Sequence, residues 1–477
     1  MSCKSDFDGR WSRNGGLVLW AIAALLLLTA TLPGARAGRA DAHVAQHMEQ
    51  FRPGGEGAWQ LYLPLVTDPH TPAPFCDHVT QIAVVECAAL VTLYYGLNGA
   101  QWISQDGWLA SNTPCSWYGV TCLNGSVSEI SLNTNDLSGS LPSDLGNLAN
   151  LTRLNLYGNQ VSGSIPPEIG NLTQLEFLDF WHNELSGSIP PEMGNLESLS
   201  YTNMGDNHLS GSIPPQLAYL ESLTGLILDG NELSGSIPIE LANLANLEAL
   251  YLSRNQLSGS IPVELAKLEN MVDLSLSANE LSGTIPVELA ELSNLRTLGL
   301  AGNQLSGAIP IELTQLSELS ILALSHNMLS GTIPPELSRL TKLGVLNLGS
   351  NQLNGGIPAE LGSLSELTVL SLEENELSGN IPAELGNVPY LSYLDLSGNM
   401  LSGELPSALG QLTWMDTLDF SDNPLSGPIP QEMTNLYQLR YFYFDNTELC
   451  VPPNSGIYAW LAQIKEVVGS GLTCDGT

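Results

Sequence analysis

Hydrophobic residues recur along the chain with a fixed period of 24 residues, from Asn135 to Asn423. Within one copy, Leu298-Gly299-Leu300 alternates with the period of two that is typical of a β-strand. The other inward positions of this copy are Leu295, Leu305, Ile309, Leu313 and Leu316. A fixed period of this length predicts a solenoid, in which each repeat buries its apolar side against its neighbours and the strands stack as a parallel sheet.

An asparagine follows the strand in each of the thirteen copies: Asn135, Asn159, Asn183, Asn207, Asn231, Asn255, Asn279, Asn303, Asn327, Asn351, Asn375, Asn399 and Asn423. Its side chain can hydrogen-bond backbone groups of a turn that the sheet does not satisfy. A glycine and a proline, as at Gly307 and Pro310, also recur in every copy and shape the return path. Because these shared positions build the coil, we expect a binding site where the repeats differ.

Two motifs carry a resemblance to a known family. The segment from Asn255 to Pro262, Asn-Gln-Leu-Ser-Gly-Ser-Ile-Pro, resembles the plant-type leucine-rich repeat, and the resemblance covers residues 127–449. The segment from Cys115 to Cys122, Cys-Ser-Trp-Tyr-Gly-Val-Thr-Cys, is similar to the N-terminal cap of that family. The family includes receptor-kinase ectodomains, receptor-like proteins and polygalacturonase inhibitors. The end of the chain, beginning at Leu449-Cys450-Val451, instead resembles the caps of bacterial surface proteins with the same repeat.

The resemblance implies an α/β solenoid. Its expected form is a right-handed superhelix with a concave parallel β-sheet, short helical or 3-10 turns on the convex side, and disulfide-bonded caps at both ends. The family's ligands bind the concave sheet. The expected organisation is a signal peptide at 1–37, a linker at 38–75, an N-terminal cap at 76–126, repeats at 127–449 and a C-terminal cap at 450–477. The repeats comprise thirteen full copies and a terminal partial one.

The N-terminus has the pattern of an export signal. Basic residues precede an apolar run from Leu17 to Leu32, and Ala35-Arg36-Ala37 offers a small-residue cleavage site. An uncleaved membrane anchor is the alternative, but the run is shorter than the ~20 residues needed to span a bilayer. Since no second such run follows, we expect a secreted or cell-surface product without an integral membrane segment after signal removal.

Six cysteines remain after signal removal, and all lie outside the thirteen repeats: Cys76, Cys87, Cys115, Cys122, Cys450 and Cys474. Six cysteines allow fifteen pairings. Nearness in sequence and confinement to the two ends favour the pairs 76–87, 115–122 and 450–474. A zinc site would require close Cys-x-x-Cys spacing, which is not present, so we expect no metal.

The formal net charge is −35, with only 14 lysines and arginines. Such a chain repels nucleic acid and anionic lipid surfaces, which excludes both as preferred partners. Much of the charge forms an acidic ladder nine residues after the asparagines: Asp144, Glu168, Glu192, Glu240, Glu264, Glu288, Glu312, Glu336, Glu360, Glu384 and Glu432. The ladder could bind cations. We favour the local interpretation, in which each acid follows a proline and complements free N–H groups at the start of a helical turn.

Variable positions on the early strands form the predicted ligand site: Tyr157, Phe177, Asp179, Trp181, His182, Tyr201, Asp206, Asp229, Tyr251 and Arg254. Tyr157 and Trp181 occupy the same position on adjacent strands. Aromatic side chains beside carboxylates and amides suit sugar stacking or peptide anchoring, although such pairs also stabilise sheets. The middle strands carry small residues, and a smaller second patch comprises Tyr393, Asp395, Asp416, Asp419, Tyr441 and Tyr443.

These patterns favour a recognition protein that binds a protein, peptide or glycan. The alternatives are a structural or adhesive envelope protein and an inhibitor of a secreted glycan hydrolase. His182 with Asp206 and Asp229 could be a metal or acid/base group, but no nucleophile, phosphate loop or paired metal spacing accompanies it. We therefore expect no enzyme and no cofactor. The pattern carries no signal for a particular oligomeric state.

Overall fold

The computed structural model describes residues 74–453 and 456–474. The expected signal peptide and almost all of the expected linker lie outside these ranges. Within them the chain is a right-handed solenoid whose coils repeat every 24 residues, as the period predicts. The strands of successive coils pair in parallel and without slippage, so that Leu250 stands beside Leu274 and Leu274 beside Leu298.

A sheet of sixteen strands lines the concave face: Val120–Leu123, Ser126–Ser131, Arg153–Asn155, Phe177–Asp179, Tyr201–Asn203, Gly225–Ile227, Ala249–Tyr251, Asp273–Ser275, Thr297–Gly299, Ile321–Ala323, Val345–Asn347, Val369–Ser371, Tyr393–Asp395, Thr417–Asp419, Tyr441–Phe444 and Glu466–Gly469. Only the first two strands pair antiparallel. The central residue of a strand, such as Leu298, is buried, while its two neighbours point to the concave surface. Each coil therefore offers its variable side chains to one continuous face.

Thirteen 3-10 helices form the opposite side: Ser143–Asn147, Pro167–Asn171, Pro191–Asn195, Pro215–Tyr219, Ile239–Asn243, Val263–Lys267, Val287–Glu291, Ile311–Gln315, Pro335–Arg339, Ala359–Ser363, Ala383–Asn387, Ser407–Gln411 and Gln431–Asn435. Each follows a proline in extended conformation, as Pro310 does at φ −64°. The acidic ladder lies in their first turns, for example at Glu312. This is the position that the local interpretation of the ladder requires, because a carboxylate there faces unpaired backbone N–H groups.

A second sheet, which the sequence did not predict, flanks the core between these two sides. It contains Ser138–Ser140, Gln160–Gly163, Glu184–Gly187, His208–Gly211, Glu232–Gly235, Gln256–Ser260, Glu280–Thr284, Gln304–Gly307, Met328–Thr332, Gln352–Gly355, Glu376–Gly379 and Met400–Leu401. A separate pair, Ser426–Pro428 and Glu448–Cys450, follows. These strands are short and most end at a glycine with positive φ, such as Gly307 at 83°. Because serine and glycine are common in turns, the Leu-Ser-Gly sequence of these strands is typical of a turn rather than of a strand.

The repeated asparagines join successive coils. Asn303 donates through Nδ2 to the carbonyl oxygens of Leu276 and Leu300, both at 3.0 Å. Its Oδ1 accepts from the N–H of Leu281 at 3.0 Å. Three backbone groups that no strand satisfies are thus paired by one buried amide. At the corresponding place in the last coil, Thr447 donates to the Phe444 carbonyl at 2.6 Å, and the asparagine ladder ends.

The caps close both ends of the core. An α-helix, Val84–Gly96, and short 3-10 helices, Pro74–His78, Gly99–Gln101 and Pro114–Ser116, cover the first coil. Three buried tryptophans, Trp102, Trp108 and Trp117, fill the space beneath them. At the other end, a helix, Ile457–Leu461, precedes the last strand. The predicted disulfides are confirmed: Cys76–Cys87, Cys115–Cys122 and Cys450–Cys474.

Candidate functional site

Variable side chains of the early strands line a region of the concave surface that we call the trough. Its floor is a row of amides and a carboxylate, Asn155, Asp179 and Asn203, from three adjacent strands. One wall comprises Arg153, Phe177 and Tyr201, and the other comprises Tyr157 and Trp181. Because Phe177, Asp179 and Trp181 alternate along one chain segment, about 13 Å separates the Cα atoms of the two walls.

The first wall is a continuous stack. The rings of Phe177 and Tyr201 are nearly parallel, with centroids 5.2 Å apart. The guanidinium carbon of Arg153 lies 3.6 Å from the centroid of Phe177, a cation–π contact, and Nε of Arg153 is 3.4 Å from a carboxylate oxygen of Glu129. The next residue in the row is Gly225, where a Cβ atom would lie 3.0 Å from the Tyr201 ring. Because Gly225 has no side chain, the Tyr201 ring has room to lie over the sheet.

The second wall consists of a tilted pair. The centroids of Tyr157 and Trp181 are 5.7 Å apart, and the His182 ring lies 5.3 Å from that of Trp181. His182 is at the turn that ends the strand segment, with φ 55°. Its side chain therefore stands at the rim of the trough rather than on the floor. The predicted adjacency of Tyr157 and Trp181 is present in the structure.

The floor side chains are held by their own backbone. The N–H of Trp181 donates to Oδ1 of Asp179 at 2.9 Å, and the N–H of Tyr157 donates to Oδ1 of Asn155 at 3.2 Å. Burial raises the pKa of Asp179, although the hydrogen bond from Trp181 and the charge of Arg153 oppose the rise. Burial, together with the nearby charge of Asp179, raises the pKa of Tyr201 to about 12.

Three of the predicted site residues form an ion-pair cluster beside the trough. One Arg254 nitrogen lies 2.9 Å from Oδ1 of Asp206 and 2.8 Å from Oδ2 of Asp229. Gly230 lies between them, and a Cβ there would be 2.4 Å from the Asp206 carboxylate. Burial raises the pKa of Asp229, and Arg254 acts in the opposite direction. The arginine is thus neutralised by this chain's own carboxylates.

Tyr251, the remaining predicted site residue, lies apart from the trough. Ile227 separates it from Asn203 along the floor row. Burial, together with the charge of Asp273 on the adjacent strand, raises the pKa of Tyr251, and burial also raises the pKa of Asp273, a residue that the sequence pattern did not indicate. Asp273 occupies the same repeat position as Arg153 and could have been found by aligning the copies on their asparagines.

The second predicted patch is also present, and it is more acidic than expected. Tyr393 donates to Asp395 at 3.1 Å, and Arg440 pairs with Asp416. Burial raises the pKa of Asp419 to about 6. Glu373, which the sequence pattern did not indicate, occupies the space above Gly349 of the preceding coil. Burial and the charge of Asp395 raise its pKa to about 7. Tyr441 and Tyr443 follow on the strand Tyr441–Phe444.

In the described ranges, no group of three or more histidine, cysteine, aspartate and glutamate side chains is arranged to hold a metal ion. The same residues include no helix that is both long and apolar enough to cross a membrane.

Comparisons with known proteins give the family. The leucine-rich repeat profile matches ten segments: residues 150–172, 174–196, 222–244, 246–268, 294–316, 318–340, 342–364, 366–388, 390–412 and 415–436. No curated protein sequence matches the chain significantly. Among solved structures, the chain is similar to the plant peptide hormone receptor RGFR1 in complex with RGF2, at 34% identity and a TM-score of 0.67. That match covers 71% of this chain and 58% of the receptor chain.

Two further structures extend the comparison. The HAESA ectodomain of Arabidopsis, in complex with an IDA peptide hormone, is 28% identical with a TM-score of 0.55, covering 81% of this chain and 77% of that one. A leucine-rich repeat protein of Leptospira interrogans is 32% identical with a TM-score of 0.59, covering 72% of this chain and 83% of that one. The chain spans little more than half the length of RGFR1 but most of the bacterial protein. By its profile, repeat pattern and fold, this chain belongs to the leucine-rich repeat family, with repeats of the plant type.

Proposed function

We propose that this protein is an extracellular recognition protein that binds a peptide, or an extended segment of a protein partner, in the trough. The observation that carries the proposal is the combination of two aromatic walls with a polar floor, next to central strands that carry small side chains. Aromatic side chains provide a large contact area at low entropic cost, and binding energy concentrates on such residues. The floor row provides polar groups that can orient a backbone.

Three further observations support this function. The RGFR1 and HAESA structures are complexes with peptide hormones, and both resemble this chain in fold. Disulfides at both ends are typical of proteins in oxidising, extracellular compartments. The small side chains of the central strands, such as Ser275 and Gly299, leave the early trough as a distinct feature. Recognition rather than catalysis accounts for these features.

The test is a combined peptide and glycan array probed with residues 74–477, followed by affinity measurement on the best hit. Replacing both Tyr157 and Trp181 by alanine should weaken binding by roughly 30-fold or more, since truncation of a hot-spot side chain costs about 2 kcal/mol or more. Circular dichroism should stay unchanged because neither ring belongs to the buried core.

The matched control is Trp414→Ala, which removes a 55% exposed tryptophan outside the concave sheet and should leave affinity unchanged. Unaltered affinity in the Tyr157→Ala/Trp181→Ala variant would contradict the proposed site. Selective capture of glycans without any peptide hit would instead assign the trough to a sugar ligand and refute peptide recognition.

A further inference from the structure

The floor of the trough contains a carboxylate, Asp179, that has no ion-pair partner among the described residues and feels the charge of Arg153 only beyond contact distance. Asp179 accepts one hydrogen bond, from the N–H of Trp181 to Oδ1. Within the described ranges, its Oδ2 accepts no hydrogen bond and forms no ion pair. The neighbouring carboxylates Asp206 and Asp229, by contrast, share Arg254. A cationic ligand group could therefore donate to Oδ2 and form a charge-assisted hydrogen bond there.

The walls on both sides of Asp179 are suited to a cation. Aromatic rings attract cations to their faces, and a planar guanidinium can stack on them while donating to a carboxylate. The structure already contains one such contact, because the Arg153 guanidinium lies 3.6 Å from the centroid of Phe177. The Cα atoms of the two walls are about 13 Å apart, and a second, ligand-borne cation would lie between these walls above Asp179.

The charged side chains around Asp179 also favour a cationic ligand group over an anionic one. The charged side chains of the trough and its rim are Glu129, Arg153, Asp179, Asp206, Asp229 and Arg254, with two more acids than bases within this set. Neither arginine is free to bind an anion, because each is paired with at least one carboxylate. A ligand carboxylate or phosphate placed over Asp179 would therefore meet net repulsion, whereas an ammonium or guanidinium group would be attracted.

We infer that the trough selects a cationic side chain, best an arginine of a bound peptide, which donates to Oδ2 of Asp179 between the Phe177–Tyr201 wall and the Tyr157–Trp181 wall. This inference rests on the proposed peptide-binding function and adds the chemical class of the anchoring group. Lysine provides the same charge without a planar group to stack, so it should bind more weakly than arginine.

The experiment uses fluorescein-labelled alanine–glycine heptapeptides that differ only in their central residue: arginine, citrulline, lysine or glutamate. Citrulline has nearly the shape of arginine without its charge. Fluorescence anisotropy in physiological salt should show the arginine peptide binding about tenfold or more tighter than the citrulline peptide, since hydrogen bonds between charged groups are the strong ones. The glutamate peptide should bind least.

Asp179→Asn is the decisive variant. Asparagine keeps the oxygen that accepts from the Trp181 N–H, so the floor geometry is retained while the charge is lost. The arginine-to-citrulline affinity ratio should then fall to about threefold or less. The control is Glu264→Gln, which removes one negative charge from a 3-10 helix on the convex side and should leave the ratio unchanged. This control separates local recognition from general attraction to an acidic protein.

The outcomes distinguish this inference from the function on which it rests. An unchanged ratio in Asp179→Asn, or an equal fall in Glu264→Gln, would overturn the cation site. The absence of binding by the arginine peptide up to about 1 mM would overturn it as well. Peptide recognition would still stand in each case if an array hit lost affinity in the Tyr157→Ala/Trp181→Ala variant. Failure of that double variant would refute the trough itself.

Discussion

At the residue scale, Glu373 shows how a single side chain can depart from the repeat. Most copies near it have a small residue at this position, such as Ser325 or Gly349 in the two preceding coils. A Cβ at Gly349 would lie 1.9 Å from a Glu373 carboxylate oxygen, so the glycine provides the space that the carboxyl group occupies. Ser371 donates to the same group, and Asp395 lies nearby. The arrangement favours the protonated, neutral form.

The folded protein should consequently lose stability as the pH rises from about 4.5 to about 7. The pKa of Glu373 is raised from 4.5 to about 7, so its protonated form stabilises the fold fully below about pH 4.5 and the contribution is lost as the pH approaches 7. Glu373→Gln keeps the acceptor for Ser371 and cannot ionise. It should raise the melting temperature by a few degrees at pH 8 and have little effect at pH 4.5.

The neighbouring Glu374→Gln is the control, because that side chain is exposed. It should give no comparable pH-dependent gain. Equal effects of Glu373→Gln at both pH values would show that burial does not perturb this carboxyl group.

At the scale of the element, the coil is defined by hydrogen bonds that the strands alone do not provide. Each asparagine connects its own turn with the preceding coil, as Asn303 does with Leu276 and Leu281. The period and the turn chemistry of asparagine predicted this role, because both are local properties of the sequence. The second sheet was not predicted, since strands of two to five residues with one buried side chain have no distinctive periodicity.

Asn303→Ala should destabilise the central coils by roughly 2–5 kcal/mol, because three buried backbone partners lose their hydrogen bonds at once. Urea unfolding would measure the loss, and hydrogen exchange should accelerate in residues 276–305 before it does elsewhere. Asn294→Ala is the matched control: this exposed asparagine makes one hydrogen bond, at 2.8 Å to the Glu269 carbonyl. Equal destabilisation by the two substitutions would refute the structural role of the ladder.

At the scale of the whole molecule, the solenoid separates stability from recognition. Adjacent coils pair in one register throughout, so contacts between coils are interchangeable in the central, bland region. The disulfide-bonded caps protect the two ends, where a coil would otherwise expose its core. The trough, by contrast, requires three particular coils in sequence.

Deleting one full repeat therefore has an effect that depends on its place. Removal of residues 303–326 joins Gly302 to Asn327, preserves the register and should leave both the fold and the affinity of an array-selected ligand within about threefold of the original. Removal of residues 159–182, which is the same length, eliminates Phe177, Asp179 and Trp181 and should abolish binding while the protein remains folded. Circular dichroism and affinity measurement would check both variants. Loss of binding in both would contradict a localised site.

The sequence by itself determined the coil, its caps and the face on which a site could lie. The 24-residue period places Leu298 inward and Gly299 outward, and it does the same for the equivalent positions of the other copies. The terminal cysteines pair with near neighbours in the sequence, so their spacing was sufficient to predict the disulfides. It also placed Tyr157 beside Trp181, because equivalent positions of adjacent strands must meet.

Only the tertiary structure decided which charges are compensated. Among the described residues, Arg254 pairs with Asp206 and Asp229 from two preceding coils, Oδ2 of Asp179 has no hydrogen-bond or ion-pair partner, and the half-buried Glu373 carboxyl group lies above Gly349. Each outcome depends on contacts between side chains of different coils, which bring residues 24 to 48 positions apart within a few ångströms. The period specifies the row in which a side chain stands, but the charge balance of the site follows from the packing of several rows together.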